Sequence, residues 1–112
     1  MESHLLMARA LVTVPKSAVR GAVIEIRTLI AHPMETGYRS GDGGVPLPRN
    51  IIRRFTCRYD GEEIFAADLY PAVSANPLIS FFTVATASGT LTCTWEGDNG
   101  FSQVETASIV VT

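Results

Sequence analysis

The 112-residue chain is poor in the residues that metal centres and disulfide scaffolds require: it holds two cysteines and two histidines. Two cysteines close at most one disulfide, which excludes a stapled secreted miniprotein. His4 and His32 stand far apart, and a transition-metal site needs further His, Cys or carboxylate ligands at suitable spacing. Charge is scarce too, at 18% of residues with a net charge of −2. That leaves no basic excess for phosphate binding and argues against a nucleic-acid partner. No apolar run approaches the length of a membrane-spanning helix. The opening MESHLLMARALVTV has no basic n-region and no long apolar h-region, so it does not read as a signal peptide. The expectation is a soluble chain that does not reach a membrane and is not exported unless a partner carries it.

Apolar residues make up 46% of the chain, enough for one real core at this length. Residues 1–8 read as an extension, with Met7 a natural start, and 9–112 as a single domain. Alternation with period two dominates, and no helical period lasts beyond a turn or two. Strands are predicted over 10–14, 22–31, 51–59, 62–69, 78–87, 90–95 and 104–111. In the second, Ile24, Ile26 and Ile30 share one face while Glu25 and Arg27 share the other. Asp60-Gly61 and Asp98-Asn99-Gly100 are hairpin signals. About seven short strands with regular turn signals predict an all-β fold, an immunoglobulin-like sandwich of two antiparallel sheets. The antibody-type Cys–Trp–Cys spacing is absent, since Cys57 and Cys93 fall on the third and sixth strands and Trp95 on the sixth.

The stretch IAHPMETGYRSGDGGVPLPRNIIRRF, from Ile30 to Phe55, holds a long irregular loop rich in glycine and proline. Such loops are uncommon in compact domains and are often functional. His32, Met34 and Glu35 open it. A catalytic or metal role would need partners that the sequence does not single out. A binding role does not, and Met adapts well to interfaces. Arg49, Arg53, Arg54 and Arg58 form a basic stripe. Arg54 and Arg58 should be balanced by Glu62, Glu63 and Asp68 across the Asp60-Gly61 hairpin, leaving Arg49 and Arg53 more open. DLYPAVSANP encloses Ser74 and Asn76 between two prolines. Ser74 lacks the G-x-S-x-G elbow of a nucleophile, and SGDGG has no phosphate-loop spacing. Cys57 and Cys93 point inward on neighbouring strands, where buried free thiols are favoured over a cross-strand disulfide. The partner-binding residues expected from these patterns are His32, Met34, Glu35, Arg49, Arg53, Ser74 and Asn76.

HPMETGYR with PRNIIRRFTCRYDG, FAADLYPAVSANPLISFF, and SGTLTCTWEGDNG together resemble the SoxZ family, over about Val12 to Val111. SoxZ chains are the small subunits of the SoxYZ carrier of bacterial thiosulfate oxidation. The resemblance implies an immunoglobulin-like sandwich with no catalysis and no cofactor. It implies a heterodimer with SoxY, which carries sulfur intermediates on a cysteine in a flexible C-terminal arm ending Gly-Gly-Cys-Gly-Gly. This chain ends IVVT and has no such motif, so it matches the companion subunit. The resemblance also implies a periplasmic location reached by co-export with SoxY and transient contacts with other Sox enzymes; a lone subunit with an unpaired apolar surface is expected to self-associate. The loops His32–Pro48 and Tyr70–Pro77 would then present recognition surface, and the apolar ASIVVT segment a sheet edge. The rival expectations are a free-standing immunoglobulin-like ligand-binding or adhesion module, and a thiol enzyme using Cys57 or Cys93 with His32.

Overall fold

The computed structural model describes residues 9–112; the expected extension over 1–8 lies outside the described residues. Eight strands follow in order: β1 Ala10–Thr13, β2 Ser17–Ala18, β3 Val23–Ile30, β4 Ile52–Tyr59, β5 Glu62–Asp68, β6 Leu78–Val84, β7 Gly89–Gly97 and β8 Ser102–Val111. They form a three-stranded sheet, β1-β3-β6, and a five-stranded sheet, β2-β8-β7-β4-β5. All seven predicted strands are present. The fifth ends three residues earlier than expected, at Val84. The eighth element, β2, pairs in parallel with Val110 and Val111 for two residues only, the one departure from antiparallel pairing. Two residues carry no period, so this strand exists by virtue of its partner alone.

Alternation decides which face is buried. In β3, Ile24, Ile26, Thr28 and Ile30 are buried and the intervening residues are exposed. Thr28 satisfies its hydroxyl by donating to the Ile79 carbonyl oxygen at 2.9 Å, as a buried polar group must. In β4 and β7, Phe55, Cys57, Tyr59, Leu91, Cys93 and Trp95 face the same interior. Phe55 sits at the centre of an aromatic cluster, with ring centroids 5.2 Å from Trp95 and 6.1 Å from Phe81. Phe65 stacks on Phe81 at 4.4 Å and 7°. This pair ties β5 to β6, the strands that leave the two sheets open along one side. The hairpin after β4 is the predicted one: Asp60 and Gly61 both take positive φ, 49° and 87°, as a two-residue turn matched to strand twist requires.

Candidate partner-binding site

The antiparallel order brings the ends of β3, β5 and β7 and the starts of β4, β6 and β8 to one end of the sandwich. Three connections therefore gather there: 31–51, 69–77 and 98–101. The first is not structureless. It runs out and back as an irregular hairpin, with Glu35 and Asn50 exchanging N–H to carbonyl hydrogen bonds of 2.8 Å each. Ser40 pairs with Pro46 further out, and the turn at Asp42–Gly44 is a short 3-10 segment with positive φ at Gly43 and Gly44. Gly37 has φ 86°, and a Cβ there would press on Arg49 at 3.1 Å. Glycine is thus required where the two arms of the loop cross closely.

The base of the loop is fixed by the residues expected to bind a partner. The His32 N–H donates to Asn76 Oδ1 at 2.9 Å, and the Asn76 N–H donates to the His32 carbonyl oxygen at 2.8 Å. The long loop and the 69–77 loop are thereby joined. The Met34 N–H donates to His32 Nδ1 at 3.0 Å, and the Met34 sulfur accepts the Ile52 N–H at 3.3 Å. The His32 ring meets Phe101 edge-on at 4.8 Å. His32 and Met34 are both 4% exposed. The expectation that they offer contact surface is corrected: their side chains are spent inside the loop end, where non-periodic residues are buried by distant partners. Burial lowers the His32 pKa below the usual imidazole value, partly offset by the negative charge of Asp98.

Arg49 and Arg53 are not open cations. Asp98, from the β7–β8 turn, takes both: Arg49 Nε and Nη2 donate to its two oxygens at 2.8 and 2.9 Å, and Arg53 Nε lies 3.1 Å away. The Ile51 N–H also donates to Asp98 Oδ2 at 3.2 Å. The Arg49 hydrogen bond is the chief reason the Asp98 carboxyl lies below its ordinary pKa. Glu35 pairs with Arg39 at 2.6 Å, and that bond holds its carboxyl low as well. Arg54 and Arg58 meet Asp68 and Glu63 at 2.7 and 3.9 Å across the hairpin, as expected. Ser74 and Asn76 are exposed and line a shallow recess of about 500 Å³ between β5 and β6. Sequence reasoning missed Asp98, whose turn position was legible but whose pairing with a residue 49 positions away was not. It also missed Tyr38, Val45 and Tyr70, which stand exposed on the same loops.

Cys57 and Cys93 face each other across β4 and β7; both are free and fully buried. The hydrogen bond shared with Cys57, and burial behind it, push the Cys93 thiol far above the ordinary range. The same bond lowers the Cys57 thiol, so it is burial, complete at both residues, that withholds the pair from reagents and makes it packing. The rival thiol-enzyme reading finds no open nucleophile at either position. Among the described residues, no three His, Cys, Asp or Glu side chains gather as a metal site. Among the same residues, no helix is long and apolar enough to cross a membrane. The ASIVVT segment, expected as an edge, covers the end of β8, which pairs with β7 from Ser102 to Ile109 and with β2 at Val110 and Val111.

Residues 12–108 match the family model described as sulphur oxidation protein SoxZ. No curated protein matches the sequence. Among solved structures, the sulfur carrier protein SoxY from Chlorobium limicola f thiosulfatophilum is similar in fold, with a TM-score of 0.64 and 13% identity over 92% of this chain and 78% of that one. A superoxide reductase (neelaredoxin) from Ignicoccus hospitalis gives 0.69 and 12%, over 100% and 88%. A CARDB domain from Pyrococcus furiosus gives 0.56 and 13%, over 94% and 87%. At such identities the likeness carries the fold alone.

Proposed function

The chain belongs to the SoxZ family of sulphur oxidation proteins, and on that premise we propose that it is the noncatalytic subunit of a SoxYZ carrier. It binds SoxY and supports presentation of SoxY's cysteine-bound sulfur intermediates to the Sox enzymes of thiosulfate oxidation. The observation that carries this reading is the state of its own thiols. Cys57 and Cys93 are sealed in the core, which supports a sulfur that rides on another chain. The loop end fits a role in recognition. Its backbone is pre-ordered by the His32–Asn76 and Glu35–Asn50 links, which lowers the ordering cost of docking. Glu35, Arg49, Arg53, Ser74 and Asn76 supply its polar groups, and Tyr38 and Tyr70 its exposed aromatic anchors, the residue type enriched where binding energy concentrates. His32 and Met34 act beneath them as supports. These loops face the enzymes that visit the SoxY arm. The complex works in the periplasm, reached by co-export with SoxY.

The test is reconstitution. Purified chain mixed with SoxY should give a one-to-one complex by mass, and thiosulfate oxidation by the assembled system should require it. Tyr38→Ala with Tyr70→Ala should slow turnover while the complex persists. Full turnover without this chain, or no complex with SoxY, refutes the reading.

A further inference from the structure

Cys57 and Cys93 are matched more closely than packing requires. They are direct partners in the β4–β7 register, on the middle strand of the five-stranded sheet, β7, and on β4 beside it. The backbone hydrogen bonds decide how near they stand. Across β4–β7, the Asp60 N–H donates to the Thr90 carbonyl oxygen at 2.9 Å. Hydrogen-bonded and non-hydrogen-bonded pairs alternate along an antiparallel ladder. Arg58–Thr92 and Thr56–Thr94 are therefore hydrogen-bonded pairs, and Cys57–Cys93 between them is not. The other side of β4 agrees. The Leu69 N–H donates to the Arg53 carbonyl oxygen at 2.8 Å, and the same count turns the Cys57 backbone bonds toward Phe65 of β5. Residues of a non-hydrogen-bonded pair stand about 4.5 Å apart at Cα, with their side chains closest there. A disulfide spans ~4.4–6.8 Å between Cα atoms. Both side chains face the same interior, so a bond between them needs side-chain rotation and no change of register.

Burial sets when such a bond can form. Both residues are 0% exposed. Thiol–disulfide exchange runs through a mixed disulfide, so an outside oxidant must touch one of the two sulfurs. In the native sandwich it cannot. Reaching either sulfur means opening the core, and core strands open only at a free energy near that of global unfolding. In the unfolded chain both thiols are accessible.

We propose that Cys57 and Cys93 are a cross-strand disulfide site whose state is set while the chain folds and locked once the core has packed. The oxidant is a small-molecule or protein disulfide met by the unfolded chain. One cysteine thiolate attacks it, forms a mixed disulfide and expels a first thiol. The other cysteine thiolate attacks the cysteine sulfur of that mixed disulfide. The Cys57–Cys93 bond forms and a second thiol leaves. The two electrons given up by the cysteines, and their two protons, end on the two released thiols. Folding without an oxidant leaves the free pair of this structure, which packs as two small apolar groups. The cross-link encloses all of β5 and β6, a loop long enough for closure to stabilise the native chain. Closure needs no partner chain, so the site is independent of the carrier reading.

The test compares two histories of one protein. Reduced chain unfolded in urea is refolded by dilution into a buffer of oxidised and reduced glutathione, and native reduced chain is held in the same final buffer for the same time. Both are then alkylated in denaturant and mapped by non-reducing peptide mass analysis. The refolded sample should carry the Cys57–Cys93 bond in most molecules. Its thermal midpoint should exceed that of the reduced chain by on the order of 10 °C. The native sample should close at least ~100-fold more slowly. Refolded chain that keeps free thiols, or carries only glutathione adducts, overturns the site. A midpoint that is unchanged or lower on closure shows that the bond does not fit the native strands, and overturns it too. Native chain that closes as fast as refolding chain overturns the lock. Cys93→Ala should melt alike from both buffers, and the same rise in that variant would refute the bond as its cause. If Cys93→Ala does not fold, the wild-type peptide map decides alone.

Discussion

Replacing Asp98 by alanine should cost about 2–3 kcal/mol of stability, worked from the groups that its carboxylate holds. The Ile51 N–H, on a residue 1% exposed, loses its acceptor; an unsatisfied buried donor costs ~1–3 kcal/mol. The Arg49 fork and the Arg53 contact are lost as well. Both arginine side chains are about half exposed, so each pair contributes only ~0.2–1 kcal/mol after screening by solvent. Asn at this position keeps an acceptor for Ile51 and loses the ion pairs, so Asp98→Asn should cost about half as much. The assay is urea unfolding followed by far-ultraviolet circular dichroism, with the slope constant across variants. An Asp98→Ala midpoint that puts stability within about 0.5 kcal/mol of the wild type would show that the loop end does not depend on this carboxylate. The acid limb adds a second check. The carboxyl pKa is depressed in the folded state, so its contribution is present above the unfolded value of about 3.9 and lost as pH falls through the folded one. Asp98→Asn should flatten that limb.

The His32 pKa is lowered by burial, so below about pH 6.5 the unfolded chain takes a proton that the folded chain resists, and stability should fall from there downward. Thermal midpoints between pH 8 and 5 measure this; an undiminished slope in His32→Gln would assign the effect elsewhere. Iodoacetamide should label Cys57 and Cys93 only as fast as the native protein opens, because both are fully buried. Rapid labelling of either, or a persulfide found on either during turnover, would contradict a packing role.

Much of the fold could be read from period alone. Wherever a strand has one buried face, as β3, β4 and β7 do, alternation names both the strand and the residues facing in. It failed where burial has no period. His32 and Met34 sit in a loop, and the groups they meet, Phe101, Asn76 and Ile52, are remote in sequence. Arg49 and Arg53 looked open because their neutralising partner lies in a turn whose Asp-Asn-Gly already had a sufficient local explanation. The outer face of β3 escaped for the opposite reason. Glu25 and Arg27 mark it as solvated, and that signal masks Val23 and Leu29 on either side. Their grouping appears only when register sets them beside Leu11, Leu78 and Val84 from other strands.

Trp95 is the sole tryptophan and is wholly enclosed, on β7, the middle strand of the five-stranded sheet. Its indole emission should therefore be blue-shifted in the native chain and move to the red on denaturation, with no label attached. Because the ring has no exposed surface, a partner settling on the outside should leave that colour nearly unchanged. The molecule thus carries its own fluorophore for melting, blind to assembly, and the two processes can be followed in one cuvette.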